Sequence, residues 1–227
     1  MSEHRYLALM LDAPLQSWGF SSRFQRRTTA LHPTRSGITG MICAALGVDK
    51  GSVNEADWLK RLEPVGLTVL AIPRQPEGCR EPLEIRRMED FHTVLGTRRA
   101  SGAISKDAVI SHRQYLLDAK FGVILYGSGE LLDRVHAALS NPCWGVWFGR
   151  KNCIPAAPIC QGGVKAAITE ALTDLGLVGQ ELSEFSHVEE VVVFDDGTDT
   201  LMDVPVNFKT REFKSRRICQ QMKIVKE

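Results

Sequence analysis

Three apolar runs of strand length set the limits on how this chain folds. Tyr6–Leu11, Leu67–Ile72 and Phe121–Tyr126 are each six residues long. Such short continuous runs read as buried strands. The first ends at Asp12-Ala13-Pro14, a turn signal. Between the runs lie segments of helical period. Pro33-Thr34-Arg35-Ser36 opens a helix to about Leu46, with Ile38, Met41, Ile42, Ala45 and Leu46 on one face. Thr34 or Ser36 caps it and Gly47 ends it. A second helix is predicted over Asn54–Leu62 and a third over Glu130–Leu139. Leu83–Leu95 reads as an extended, polar edge. Gly96–Ser111 has no hydrophobic period and reads as a projecting loop or hairpin. The order β-α-(α)-β-β-α-β fits an α+β, ferredoxin-like (RRM-type) domain over residues 1–165, with a protruding β-hairpin thumb at about 96–111. Residues 166–227 are expected to form a smaller C-terminal β-rich lobe. Its signals are a hairpin over Glu189–Val204 turning at Asp195-Asp196-Gly197, then a last strand pair over Phe208–Ile224.

Charge is uneven beneath a formal net of +1. Ala13–Val48 holds no acid, while Arg23, Arg26, Arg27 and Arg35 fall there. Arg134–Thr169 is also acid-free, with Arg134, Arg150, Lys151 and Lys165. Glu170–Val204 then carries ten acids and no Lys or Arg. Basic surfaces beside an acidic segment suit a polyanion on one face and a protein on another; the alternative is that the blocks pair inside the fold. No apolar stretch approaches the ~20 residues of a membrane span, and no secretory signal core follows Met1. A cytoplasmic protein with no membrane association is expected. The six cysteines are then thiols, and their spacing gives no metal motif. No cofactor is expected.

Several residues have the chemistry to hold RNA. At the start of the first helix, the hydroxyls of Thr34 and Ser36, the Arg35 guanidinium and free N–H groups converge as a phosphate site. The alternative is a capped core helix with Arg35 in a salt bridge. Trp18 and Phe24, in a basic loop, suit base stacking, or Trp18 packs in the core. Trp144 and Trp147 suit core or a subunit interface, and Arg150-Lys151 after them can reach a phosphate. Arg98, Arg99, Lys106 and Arg113 bracket the projecting segment, which the small residues Ala100–Ala103 keep slim. His92, His112, Tyr115 and Lys106 are the parts a metal-free ribonuclease needs, without a diagnostic spacing.

Two stretches carry a resemblance. Leu11-Asp12-Ala13-Pro14-Leu15-Gln16-Ser17-Trp18-Gly19, then Arg27-Thr28-Thr29, Pro33 to Met41 and Ala44-Ala45-Leu46-Gly47, resemble the N-terminal signature of the CRISPR-associated Cas-five family. Asp90 to Gly96, Arg113 to Ala119 and Phe148 to Cys153 are similar to its CasD branch, found in type I-E Cascade. The resemblance runs over about residues 5–160. It implies a non-catalytic subunit of an antiviral surveillance complex. That subunit holds the repeat-derived 5′ handle of a guide RNA and caps a filament of backbone subunits. It also implies contact with the large subunit and proximity to target DNA. With the resemblance, RNA contact becomes the expectation at Trp18, Arg26, Arg27, Thr34, Arg35, Ser36, Arg98, Arg99, Lys106, Arg113, Arg150 and Lys151. A related branch cuts precursor RNA itself, so a metal-independent endoribonuclease is the alternative.

Overall fold

The computed structural model describes residues 4–19, 25–98, 101–105 and 107–222. In chain order the elements are β1 (Arg5–Asp12), β2 (Leu15–Gln16), β3 (Arg26–Arg27), α1 (Arg35–Ala45), α2 (Val53–Leu62), β4 (Gly66–Ala71), β5 (Arg86–Val94), β6 (Val109–Leu117), β7 (Lys120–Gly127), α3 (Gly129–Ser140), α4 (Ile168–Asp174), β8 (His187–Glu190), β9 (Asp199–Asn207) and β10 (Glu212–Gln221). Among the described residues, no helix is long and apolar enough to cross a membrane.

A wide sheet runs β1–β7–β4–β8–β10–β9, antiparallel at every described pairing. β1 is covered on both sides, which is why it reads as an unbroken apolar run. Leu7, Leu9 and Leu11 point into a cluster with Ile38, Ile42, Leu132 and Val135 of α1 and α3. Ala8 and Met10 point the other way, against Ala171 and Leu172 of α4. Residues 159–165 lie along the outer edge of β1, through bridges from Tyr6 to Lys165 and Leu9 to Cys160.

The α1 start is as expected: Thr34 is the N-cap, its hydroxyl accepting the Gly37 N–H at 3.3 Å. Gly47 ends the helix at φ +70°, a conformation glycine adopts without steric penalty. α4 was not foreseen. It is only seven residues long, too short to establish a helical period.

The C-terminal strands join the same sheet, because β8 pairs with β4. The expected hairpin over 189–204 does not form. β10 hydrogen-bonds to β8 on one side and β9 on the other, so the last strand separates the two that the local signal would pair. The final pair itself is a hairpin, β9 to β10. At its turn Asn207 Oδ1 accepts the N–H groups of Lys209 and Thr210 at 2.9 and 3.0 Å.

A second sheet carries the candidate site. β5 and β6 pair without a break from Arg86↔Leu117 to Val94↔Val109. Their hairpin therefore starts ten residues earlier than Gly96, and residues 96–111 include only its tip and the first residues of β6. β2 adds antiparallel to β6 at Leu116–Leu117, and β3 adds parallel at His112–Arg113.

Candidate nucleic-acid interface

Strand alternation sorts the side chains of this second sheet. Side chains opposite each other in register share a face, and neighbours along a strand take opposite faces. Arg27 pairs with Arg113, and Arg113 with Asp90. Arg26 pairs with His112, which opposes Phe91. Arg27 and Arg113 therefore share one face, and Arg26 lies on the other with His112, Phe91 and Glu89. His112 Nδ1 stands 2.9 Å from Glu89 Oε1, and this contact holds the Glu89 carboxyl below its usual range, with Arg26 adding to the effect. Of the two adjacent arginines expected at the RNA, the pleat therefore puts only Arg27 on the face of Arg113.

Two clefts open on the Arg27 face, on either side of the Gly149-Arg150 turn. One, of about 290 Å³, lies between the α1 start, Gly19, Arg27 and the β9–β10 hairpin. Its lining holds Arg27 and Arg150 and no carboxylate. The other, of about 560 Å³, is lined by Asp90, His92, Arg113, Tyr115, Arg150, Lys151 and Asn152, so it holds one carboxylate.

Arg150 joins the two. Its guanidinium donates to the carbonyls of Gln114 and Arg27, each at 2.9 Å, and lies 4.5 Å from the Tyr115 ring centre. It straps β3 to β6 while facing both clefts. The turn that delivers it requires glycine at 149. There φ is +101°, and a Cβ would stand 1.8 Å from the Ser17 carbonyl oxygen. Lys151 is exposed, with its ammonium 5.9 Å from the Trp147 ring centre.

Three expected contact residues face inward instead. Trp18 is 1% exposed, stacked on Phe148 with ring centres 6.0 Å apart, and its indole N–H donates to Gln16 Oε1. A Cβ on Gly37 would lie 2.7 Å from its ring, so Gly37 lets α1 sit against it. Trp18 is core and has no ring face open to a base. Thr34 is buried as the helix cap. Arg35 is 5% exposed. Its guanidinium pairs with Glu190 and donates to the carbonyls of Leu62, Glu63 and Val65 at 2.8–3.0 Å. It thereby caps the C-terminal end of α2. The Arg35 backbone N–H donates to Asp203 Oδ2 at 2.7 Å, and Asp203 is held in turn by a two-pronged pair with Arg216. The expected phosphate position at this helix start is taken by the chain's own carboxylate, the anion that a helix N-terminus favours. Of the capping segment, Thr34, Ser36 and Gly37 contribute to the lining of the smaller cleft, and Arg35 does not.

Arg98 is exposed at the β5–β6 tip, where it bridges to Ile104. Arg99, Lys106 and Phe24 lie outside the described residues. Trp144 and Trp147 are exposed rather than core, at 42% and 37%. The ribonuclease parts divide. His92 and Tyr115 line the larger cleft and His112 does not. Tyr115 is 2% exposed, and its hydroxyl accepts from Asn152 at 3.1 Å. Sequence reasoning missed Phe208 and Phe213, which bring aromatic rings to the smaller cleft.

Residues 6–219 match the family model described as CRISPR-associated protein (Cas_Cas5). The chain is 28% identical over 214 residues to "CRISPR system Cascade subunit CasD" of Escherichia coli (strain K12), covering 92% of this chain and 94% of that one. A chain of a solved "CRISPR RNA-guided surveillance complex" superposes with a TM-score of 0.73 at 26% identity, covering 95% of this chain and 89% of that one. A solved "Crystal structure of Cas protein" superposes with a TM-score of 0.65 at 27% identity, covering 95% and 93%. The mixed α+β architecture with antiparallel sheets is common to these structures.

Proposed function

The chain belongs to the CRISPR-associated Cas5 family, and we propose that it is the non-catalytic subunit of a Cascade-type surveillance complex that binds the 5′ handle of the guide RNA. The observation that carries this reading is the pair of clefts meeting at Arg150. Arg27, Arg113, Arg150 and Lys151 face them, and the smaller has no carboxylate in its lining. Four cations on one face, with Asp90 as the carboxylate among them, suit a phosphate backbone. Residues 159–165, β1, β7 and β4 then form a ferredoxin-like core of order 4-1-3-2, with residues 166–227 as its β-rich extension. The β5–β6 hairpin is the thumb, lying with Arg98 and Arg99 against the RNA and the adjoining backbone subunit. From there the subunit caps the filament, meets the large subunit and serves antiviral defence in the cytoplasm.

Binding of a short 5′-handle RNA, followed across ionic strength, tests this. Affinity should fall by about 0.7 log unit per phosphate contact for each log unit of salt. With the four cations above, the slope is about 3. A flat dependence would overturn the reading.

The second reading, a metal-independent endoribonuclease, is favoured by the gathering of His92, Arg113, Tyr115 and Lys151 in one cleft. Against it stands the buried Tyr115 hydroxyl. Incubation of the protein alone with its repeat RNA, without metal, separates the two. Cleavage that disappears in His92→Ala or Tyr115→Phe would establish the enzyme.

A further inference from the structure

The smaller cleft has a wall that a phosphate grip alone does not need. Phe208 and Phe213 come from the two ends of the β9–β10 turn and are half-buried. Phe208 leans on α1, where a Cβ at Gly40 would be 3.5 Å from its ring. Phe213 is held in register opposite Pro205. The turn between them is fixed by the Asn207 side chain and by Arg211 at φ +58°. Two aromatic residues therefore share the cleft lining with Ser36 and Arg27.

The geometry points to a single-nucleotide pocket: one base of the bound strand leaves the stack and lies against Phe213 and Phe208, its phosphate held at Arg27 and Ser36. This rests on the RNA-binding reading and deepens it. Three features favour a nucleotide. The rings offer apolar faces to a base, which every base can use. The lining carries positive charge and no negative charge. The cleft holds about 290 Å³, roughly ten waters' worth of liquid, which suits one splayed nucleotide rather than a helical stack. It shares Gly149 and Arg150 with the larger cleft. A strand crossing that turn would meet both clefts, whereas a loose nucleotide would use only one.

Abasic scanning of the handle RNA against the full chain tests the pocket. Removing the base at one position should weaken binding about ten-fold, the scale of losing one base–aromatic stack. Phe213→Leu keeps an apolar side chain but loses the ring. In that variant the same abasic position should cost nothing further, while other positions behave as in the wild type. Its melting temperature serves as the folding control, and exposed Arg27→Ala, which leaves the packed core intact, should lower affinity several-fold. If RNA binds with the expected salt slope but every abasic cost is the same in wild type and Phe213→Leu, the pocket is wrong and the RNA-binding reading stands. If no salt-sensitive binding occurs, both fall. Displacement of the strand by a free nucleoside monophosphate would reassign the cleft to loose nucleotides and overturn the inference.

Discussion

Arg35→Ala should unfold this protein more easily without removing a contact to RNA. The guanidinium is 5% exposed and joins three parts of the chain. It pairs with Glu190 on β8, closes the end of α2 through the carbonyls of Leu62, Glu63 and Val65, and sits in the first turn of α1. Alanine would leave the Glu190 carboxylate, already pushed toward protonation by burial, without its closest cation. Breaking a buried pair from one side costs about 3–5 kcal/mol. For a chain of this size each kcal/mol is about 2–4 °C of melting temperature, so the loss should be about 6–20 °C. Asp203 still accepts the residue-35 N–H in the variant, because that bond uses the backbone; the α1 cap and cleft survive. Arg35→Lys should recover little, since one ammonium cannot reach Glu190 and the three carbonyls together. Thermal melts and RNA titrations below the variant's melting point decide the matter. A variant that melts within about 2 °C of wild type while losing ten-fold in RNA affinity would refute the structural role.

Gly149→Ala should lower both stability and RNA affinity, because backbone strain of about 1–3 kcal/mol is joined by an overlap with the Ser17 carbonyl; a melt and a titration that both match wild type would contradict the geometry of the turn. Arg98→Glu with Arg99→Glu should leave the melting temperature nearly unchanged, since charges that meet only solvent contribute little, and should cut incorporation into the RNA-bound complex; wild-type complex yield would remove the thumb assignment. Burial lowers the His32 pKa from 6.5, so the folded state holds that proton less readily than the unfolded chain. The associated stability is present above about pH 6.5 and is lost as pH falls through the lower folded value. A melting curve that declines on acidification from pH 7 should be flatter in His32→Gln, and equal slopes would rule this imidazole out as the cause.

Strands β1, β4 and β7 and helices α1, α2 and α3 were legible because their burial is written locally. An apolar run between turn signals, or a Thr cap ahead of a periodic face, needs only neighbouring residues. β6 was not legible as a strand. Its middle, Ser111-His112-Arg113-Gln114, is polar because the two faces of the second sheet are largely solvent-facing, one over the clefts and one over His112 and Glu89. The 189–204 hairpin failed for a different reason: the turn signal is local, but β10 arrives later in the chain and pairs with both strands. Trp18 and Arg35 show the same limit at the site. A basic helix start looks identical in sequence whether its anion is an RNA phosphate or a carboxylate of the same chain. Here the carboxylate, Asp203, comes from 168 residues away.

The charge blocks resolve along the same line. The acidic segment after Glu170 supplies partners to interior or half-buried bases: Glu190 to Arg35, Asp203 to Arg216, and Asp174 to Lys165 at 3.3 Å. Part of the pattern is thus internal pairing, as block composition alone allows. The bases that line the clefts are a different set. Arg27 and Arg113 sit on short pairings of the second sheet, Arg150 on a glycine-enforced turn, and Lys151 beside an exposed tryptophan. None of these four has a partner from the acidic segment among the ion pairs of the described residues. The near-neutral total therefore comes from two separate populations of charge. Adding acid to the cleft rim, as in Ser36→Glu, would mix them: α1 should keep its cap through Thr34, and RNA affinity should fall at low salt, where repulsion is least screened.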